Sequence, residues 1–152
     1  MKKLFLAGVL AASMATWAEN LPQVPYPAGF RRWQHVKSIV VGPESPTFAK
    51  RGGIHHYYAN AEAVDGYRTG KFPEGSVIVD EGVFTRDGQG MAKGIVLEGE
   101  RRRVEVMVKN SRLYRDTGGW GFEAFEGDEQ AGKLQARGRA ECHTCHSEVR
   151  ER

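Results

Sequence analysis

Both cysteines of the chain, Cys142 and Cys145, stand in one stretch, RAECHTCHSEVRER, residues 139–152, and His146 follows the second directly. Thiols three residues apart lie on one face of a helical turn. Two sulfurs so placed can add to the two vinyl groups of one porphyrin, whose separation the ring fixes, and the adjoining imidazole can then ligate iron. Cys-x-x-Cys-His is the attachment motif of haem c. The second imidazole nitrogen of such a ligand is expected to donate to a backbone carbonyl or water, which sets the tautomer. A structural disulfide would close so small a loop that it removes little entropy from the unfolded chain. A thioredoxin-like redox pair belongs at the start of a helix after an early strand, whereas this pair comes late in the chain. A zinc site could recruit distant histidines such as His55 and His56, though no spacing in the sequence joins them to the cysteines.

The elements that must position this chemistry are mostly strands. SVIVDEGVF alternates, with Val77 and Val79 on one face and Ser76, Ile78 and Asp80 on the other. RRRVEVMVKN sets Val104, Val106 and Val108 against Arg103, Glu105, Met107 and Lys109, and GGWGFEAF sets Trp120, Phe122 and Ala124 against Gly121, Glu123 and Phe125. Glycine-rich turns between them suit antiparallel pairing. Upstream, LPQVPYPAGF reads as an extended lead-in. RRWQHVKSIVVG reads as helix passing into strand, with Trp33, Val36, Ile39 and Val41 as core positions. GPESPTFAKRGG reads as a loop on its Pro and Gly content. IHHYYAN is rich in strand formers and ends on Asn60, a good N-cap for a short helix over AEAVDGYRTG closed by Gly70. The tail, with Gly132 and Gly138, reads as short helices. The expected class is therefore α+β and β-rich, with an antiparallel sheet, short helices and a C-terminal helical segment carrying the Cys-x-x-Cys-His motif.

Residues 1–18, MKKLFLAGVLAASMATWA, have the layout of a secretory signal peptide: two lysines, a short apolar run, then small residues. Cleavage is expected after Ala18, with Ala15 the alternative. That leaves residues 19–152 as a single domain, 134 of the 152 residues, with no membrane span after cleavage. Losing Lys2 and Lys3 takes the formal charge from +3 to about +1, too little to argue for nucleic acid as a partner. Arg101, Arg102 and Arg103, with Arg137 and Arg139, read as a solvated face. Export to the periplasm agrees with haem c, which bacteria mature outside the cytoplasm.

The segments PAGFRRWQHV, GIHHYYANAEA, GYRTGKFPEGSVIV, VEVMVKNSRLYRDTGGWGFEAF and CHTCH run in an order that resembles the cytochrome P-460 family, which includes the cytochromes c-prime-beta. The resemblance implies an antiparallel sheet over one face of a single covalent haem c, one per chain, and a homodimer. It places Cys142 and Cys145 at the thioether positions and His146 at the proximal ligand position. Family members leave the distal side open. Some bind nitric oxide or carbon monoxide there and others oxidise hydroxylamine. The oxidising members carry a lysine joined to the porphyrin, and at the matching position after GSVIV this chain has Asp80, which has no amine to offer.

The resemblance also implies a distal acidic residue, matched by Glu105, which alternation puts on the face away from the three valines. It could act as a general base toward a nitrogen substrate, or pair with Arg103 at the surface. Met107 on the same face could be a sixth iron ligand or packing; Met91, in a glycine-rich loop, is a weaker candidate. One of His55 and His56 should point inward and the other outward. Phe84, Trp120, Phe122 and Phe125 are candidate haem-pocket walls or plain core. The function expected first is a periplasmic mono-haem cytochrome that binds a small gas such as nitric oxide at an open face. An electron carrier with His146 and Met107 as ligands, serving a redox partner protein, is a second expectation. A hydroxylamine-type oxidoreductase using Glu105 is a third.

Overall fold

The computed structural model describes residues 23–134 and 136–149. The expected signal peptide, 1–18, lies outside them. Five strands form one antiparallel meander, β1 (Gln34–Val41), β2 (Gly53–Ala59), β3 (Val77–Asp87), β4 (Val96–Lys109) and β5 (Trp120–Glu126), side by side in chain order. Three helices accompany them: α1 (Phe48–Arg51), α2 (Ala61–Thr69) and α3 (Ala136–Val149). The structure is α+β, as expected. Among the described residues no helix is long and apolar enough to cross a membrane.

The β3, β4 and β5 register pairs Val79 with Val106 and Val106 with Glu123, and pairs Asp80 with Glu105 and Glu105 with Ala124. Strand alternation therefore gives the sheet two unlike faces. On one, Val79, Val104, Val106 and Phe125 are 0–2% exposed and pack with Val24 and Phe30 from the lead-in segment. Tyr26, Trp33, Tyr58, Val77, Val108 and Tyr114 complete this core, with Tyr26 meeting Phe125 edge-on at 5.1 Å between ring centres. Phe125 is thus core and not a haem wall, because it stands opposite Val104 on the valine face.

Two carboxylates are buried on the valine face. Glu81 accepts from Arg31 and Arg101 at 2.7 Å each. Glu123 accepts from Arg139 at 2.8 Å and from the Leu134 backbone N–H, which ties the lead-in to α3 against β5. The expectation of a solvated arginine face is corrected here. Arg101 also reaches Asp128, Arg102 donates to the Ala49 and Gly52 carbonyls, and Arg103 pairs with Glu126. These guanidinium groups answer acceptors that the fold brings near them, where Arg's planar fork can serve two at once. The side chain of Arg137 is outside the described set.

Asn60 caps α2 as its type suggests, accepting from the Ala63 N–H at 3.0 Å, and Gly70 ends the helix at φ 75°, the left-handed region glycine favours. Three readings differ. Part of the expected loop winds into α1. Ile39 is exposed rather than core, because β1 is the sheet's edge strand. The tail is one 14-residue helix, and Gly138 is tolerated because it falls in the first turn, where amide groups lack helical partners anyway.

Candidate functional site

The second sheet face carries polar chemistry in the middle of its strands. Its central row runs Tyr57, Asp80, Glu105, Ala124 across β2 to β5. Two carboxylates side by side on neighbouring strands repel each other and need a cation. Arg51, the last residue of α1, supplies it, donating from Nη2 to Asp80 Oδ2 and from Nη1 to Glu105 Oε2, both at 2.5 Å. Burial disfavours the Arg51 charge, but Glu105 and then Asp80 outweigh it and its pKa is raised.

His55 closes the arrangement into a ring. Its Nδ1 lies 2.8 Å from Asp80 Oδ1 and its Nε2 lies 2.7 Å from the Arg51 carbonyl. Both partners only accept, so both ring nitrogens carry protons and the side chain is an imidazolium. The Asp80 hydrogen bond is the main cause of its raised pKa. Gly82 makes the room, since a Cβ there would stand 3.2 Å from His55 Cε1. Burial, with Asp80 next in size, raises the Tyr57 phenol. A water-sized cavity of about 10 Å³ lies among Arg51, His55, Asp80, Arg103 and Glu105. Glu105 is held from its other oxygen by Arg103 at 3.3 Å, so both oxygens are engaged.

The motif residues approach this face from the side. Cys142, Cys145 and His146 all fall within α3, which packs on β5. Phe122, on the polar face beside Met107, has its ring centre 5.6 Å from that of His146 and 6.4 Å from that of His143. His146 is exposed, yet the protein on the inner side of the ring lowers its pKa, and Arg51 adds to the effect. A lowered pKa favours the neutral form that metal ligation requires. Both cysteines are free thiols; burial raises the pKa of Cys142, with Glu105 adding.

The residues present fit a haem. Two free thiols and an imidazole share one helix, which is the donor set the group needs. Tyr57, Ile78 and Met107, all on central strands, are half-buried, whereas Val79, Val104 and Val106 at the centre of the valine face are sealed and only its flanking Tyr58, Val77 and Val108 are half-buried. On the same face as Ile78 and Met107, Ala59, Phe122 and Ala124 are 1–4% exposed, so the incompletely covered part is the patch formed by Tyr57, Ile78 and Met107. The site could therefore use Cys142 and Cys145 for attachment and His146 for iron, with the polar row facing what lies between.

Of the other candidates, His55 points into the ring and His56 to the valine face, as alternation requires. Phe84 is 48% exposed under Arg102, Met91 is fully exposed, and Trp120 packs edge-on against Phe72. Arg51 escaped the sequence reading. Its partners are 29 and 54 residues away, and the one available signal was that two adjacent carboxylates on one face need a cation.

The Cytochrome P460 family model matches residues 27–152. No curated protein is detectably similar to the chain. The match spans most of the sequence, and the chain belongs to that family, whose members are haem proteins.

Proposed function

Starting from that membership, we propose that the protein is an exported, periplasmic cytochrome with one haem c, held by Cys142 and Cys145 with His146 on the iron, and that it binds a small gas such as nitric oxide on the other side. When bound, the haem supplies an iron centre with reversible affinity for diatomic ligands and for electrons. The observation that carries the reading is the pairing of a free-thiol and imidazole helix with a sheet face left half-covered.

The chain's own residues would divide the work. Phe122 buttresses His146. Tyr57, Ile78 and Met107 present a low-polarity surface that excludes bulk water, and Arg51 keeps Asp80 and Glu105 paired and in place. Glu105 is a hindered base in this setting, because a proton acceptor must first leave both guanidinium groups. Asp80 is likewise committed to Arg51 and His55, and its carboxylate makes no carbon–nitrogen bond to a porphyrin. Both features favour gas binding over hydroxylamine oxidation. The homodimer and any redox partner protein belong to the same proposal.

The optical spectrum of the purified ferric protein tests it. We expect a high-spin spectrum, an ordinary haem c pyridine haemochrome, and nitric oxide binding once reduced. A low-spin spectrum with a sulfur-to-iron band would instead make Met107 the sixth ligand and the protein an electron carrier. A haem peptide bridged to any lysine, together with hydroxylamine turnover, would make it an enzyme.

A further inference from the structure

The valine face carries, at its β1–β2 margin, a second group of chemistry-bearing side chains that the haem reading does not use. Ser38 on β1 pairs in register with His56 on β2. His35 is three residues before Ser38, an odd spacing that a regular strand would send to the opposite face. The register shift between His35 and Lys37 brings it back. His35 Nε2 then lies 2.9 Å from Ser38 Oγ, and His56 Nδ1 lies 2.8 Å from the same oxygen. Two imidazole nitrogens on two strands converge on one exposed hydroxyl.

Glu98, from β4, decides what His56 offers there. Its Oε1 lies 2.7 Å from His56 Nε2. A carboxylate only accepts, so Nε2 carries the proton, and in the neutral ring Nδ1 presents its lone pair toward Ser38. A carboxylate behind an imidazole, fixing the tautomer and raising the basicity of the other nitrogen, is the outer arrangement found behind metal-bound histidines. The ring centres of His35 and His56 are 6.1 Å apart. Two imidazoles sharing one ion, at metal–nitrogen distances of about 2.0 Å, hold their ring centres about 5–6 Å apart.

We propose that His35 and His56, oriented by Ser38 and Glu98, form a surface site for a late first-row divalent metal ion, on the sheet face opposite the haem side. Among the described residues no three imidazole, thiol or carboxylate groups already converge on one point. The ion is therefore held by two imidazoles, with the Ser38 hydroxyl and water in the remaining positions, which the exposure of Ser38 and His35 permits. Imidazole ligands select copper, nickel and zinc over magnesium or calcium, with Cu²⁺ bound more tightly than Zn²⁺.

The test is calorimetric titration of Zn²⁺, and separately Cu²⁺, into the haem-loaded protein prepared without a histidine tag. One ion per chain is expected, with the Soret band unchanged. His35→Asn and His56→Asn should each weaken binding at least tenfold, and Glu98→Gln about tenfold. Ser38→His, which adds a third imidazole at the point of convergence, should tighten it at least tenfold. This gain does not depend on a variant losing function for unrelated reasons. Failure of the wild type to bind at millimolar metal would overturn the proposal. So would unchanged binding in the His35→Asn/His56→Asn protein, or a Ser38→His protein no tighter than wild type.

Discussion

The two faces of the sheet are built from the same strands and finished differently. On the valine face, Val79 and Val104 are 0% exposed and Val106 2%, and the lead-in segment closes over them. Its two buried carboxylates, Glu81 and Glu123, each meet arginine. One residue along each strand, Ile78 and Met107 stay half-buried beside Asp80 and Glu105, which share Arg51. The valine face is complete as protein, and its stability comes from apolar burial. The other face spends its central positions on charge and leaves Tyr57, Ile78 and Met107 half-buried, a patch that the proposed haem would cover.

The sharpest way to break that comparison is to stop the cover from attaching. Cys142→Ala/Cys145→Ala should lose essentially all covalent haem, read as loss of the haem mass from the intact protein. Full retention of covalent haem would remove the attachment assignment and the meaning of the open face with it. The haem-free protein should still fold, because the valine-face core does not involve α3 cysteines.

Next in size are substitutions matched across the sheet. Phe125→Ala in the sealed core should cost about 3–5 kcal/mol whether or not haem is attached. Met107→Ala should cost less than Phe125→Ala in the haem-free double-cysteine variant, because its side chain is only partly buried there, and clearly more in the haem-loaded protein than in the haem-free one. Urea unfolding of the two substitutions in both backgrounds, against the two parent proteins, would decide it. Equal costs for Met107→Ala in both backgrounds would mean that nothing covers this face.

The faces were unequally legible in the sequence. Val104, Val106 and Val108 announce a buried face by period alone, and Asn60 and Gly70 mark the ends of α2 by their residue types. Those signals are local, and local physics decides them. Position in the sheet is not local. Ile39 looks like its core neighbours until the topology makes β1 an edge. The Arg51–Asp80–His55 ring is legible only in pieces, since each residue is an ordinary polar side chain until β2 and β3 pair. The motif in α3 was readable because its chemistry depends on spacing, while the partners that face it are set by folding.

The charged groups offer a smaller contrast. Glu81 is 1% exposed and holds Arg101, whose side chain is itself mostly buried. Glu81→Gln should cost about 3 kcal/mol, because it removes the buried carboxylate shared by Arg31 and Arg101 and leaves the mostly buried Arg101 only the exposed Asp128. Glu105 is partly exposed, and after its loss Arg51 keeps Asp80 and Arg103 keeps Glu126. Glu105→Gln should cost under about 1 kcal/mol. A cost for Glu105→Gln as large as that for Glu81→Gln would show that the polar face contributes to folding as the core does, and would weaken the division of labour between them.

The smallest effect belongs to His55, and it is a dependence on pH. Its imidazolium donates to Asp80 and to the Arg51 carbonyl, and its pKa is raised from the ordinary 6.5, chiefly by the Asp80 hydrogen bond. The native state therefore holds this proton more tightly than the unfolded chain does. The stability it contributes is fully present below about pH 6.5 and is lost as pH rises through the raised native value, because above the unfolded pKa folding must take up a proton. Of the groups facing the ring, Arg51 and Arg103, with raised pKa values, stay charged through this interval, and Tyr57, with its raised pKa, stays neutral. His143 and His146 on α3 are common to the wild type and a His55 variant, so they largely cancel in the difference. His55→Gln should therefore lower the urea midpoint most near pH 5.5 and progressively less toward pH 8.5, with the two proteins drawing together as pH rises. The haem-free background isolates the ring from any change at the iron. A difference that instead widens as pH rises would mean that His55 is neutral in the folded protein, with one ring nitrogen accepting rather than donating, and the ring with Asp80 and Arg51 would then be held by Arg51 alone.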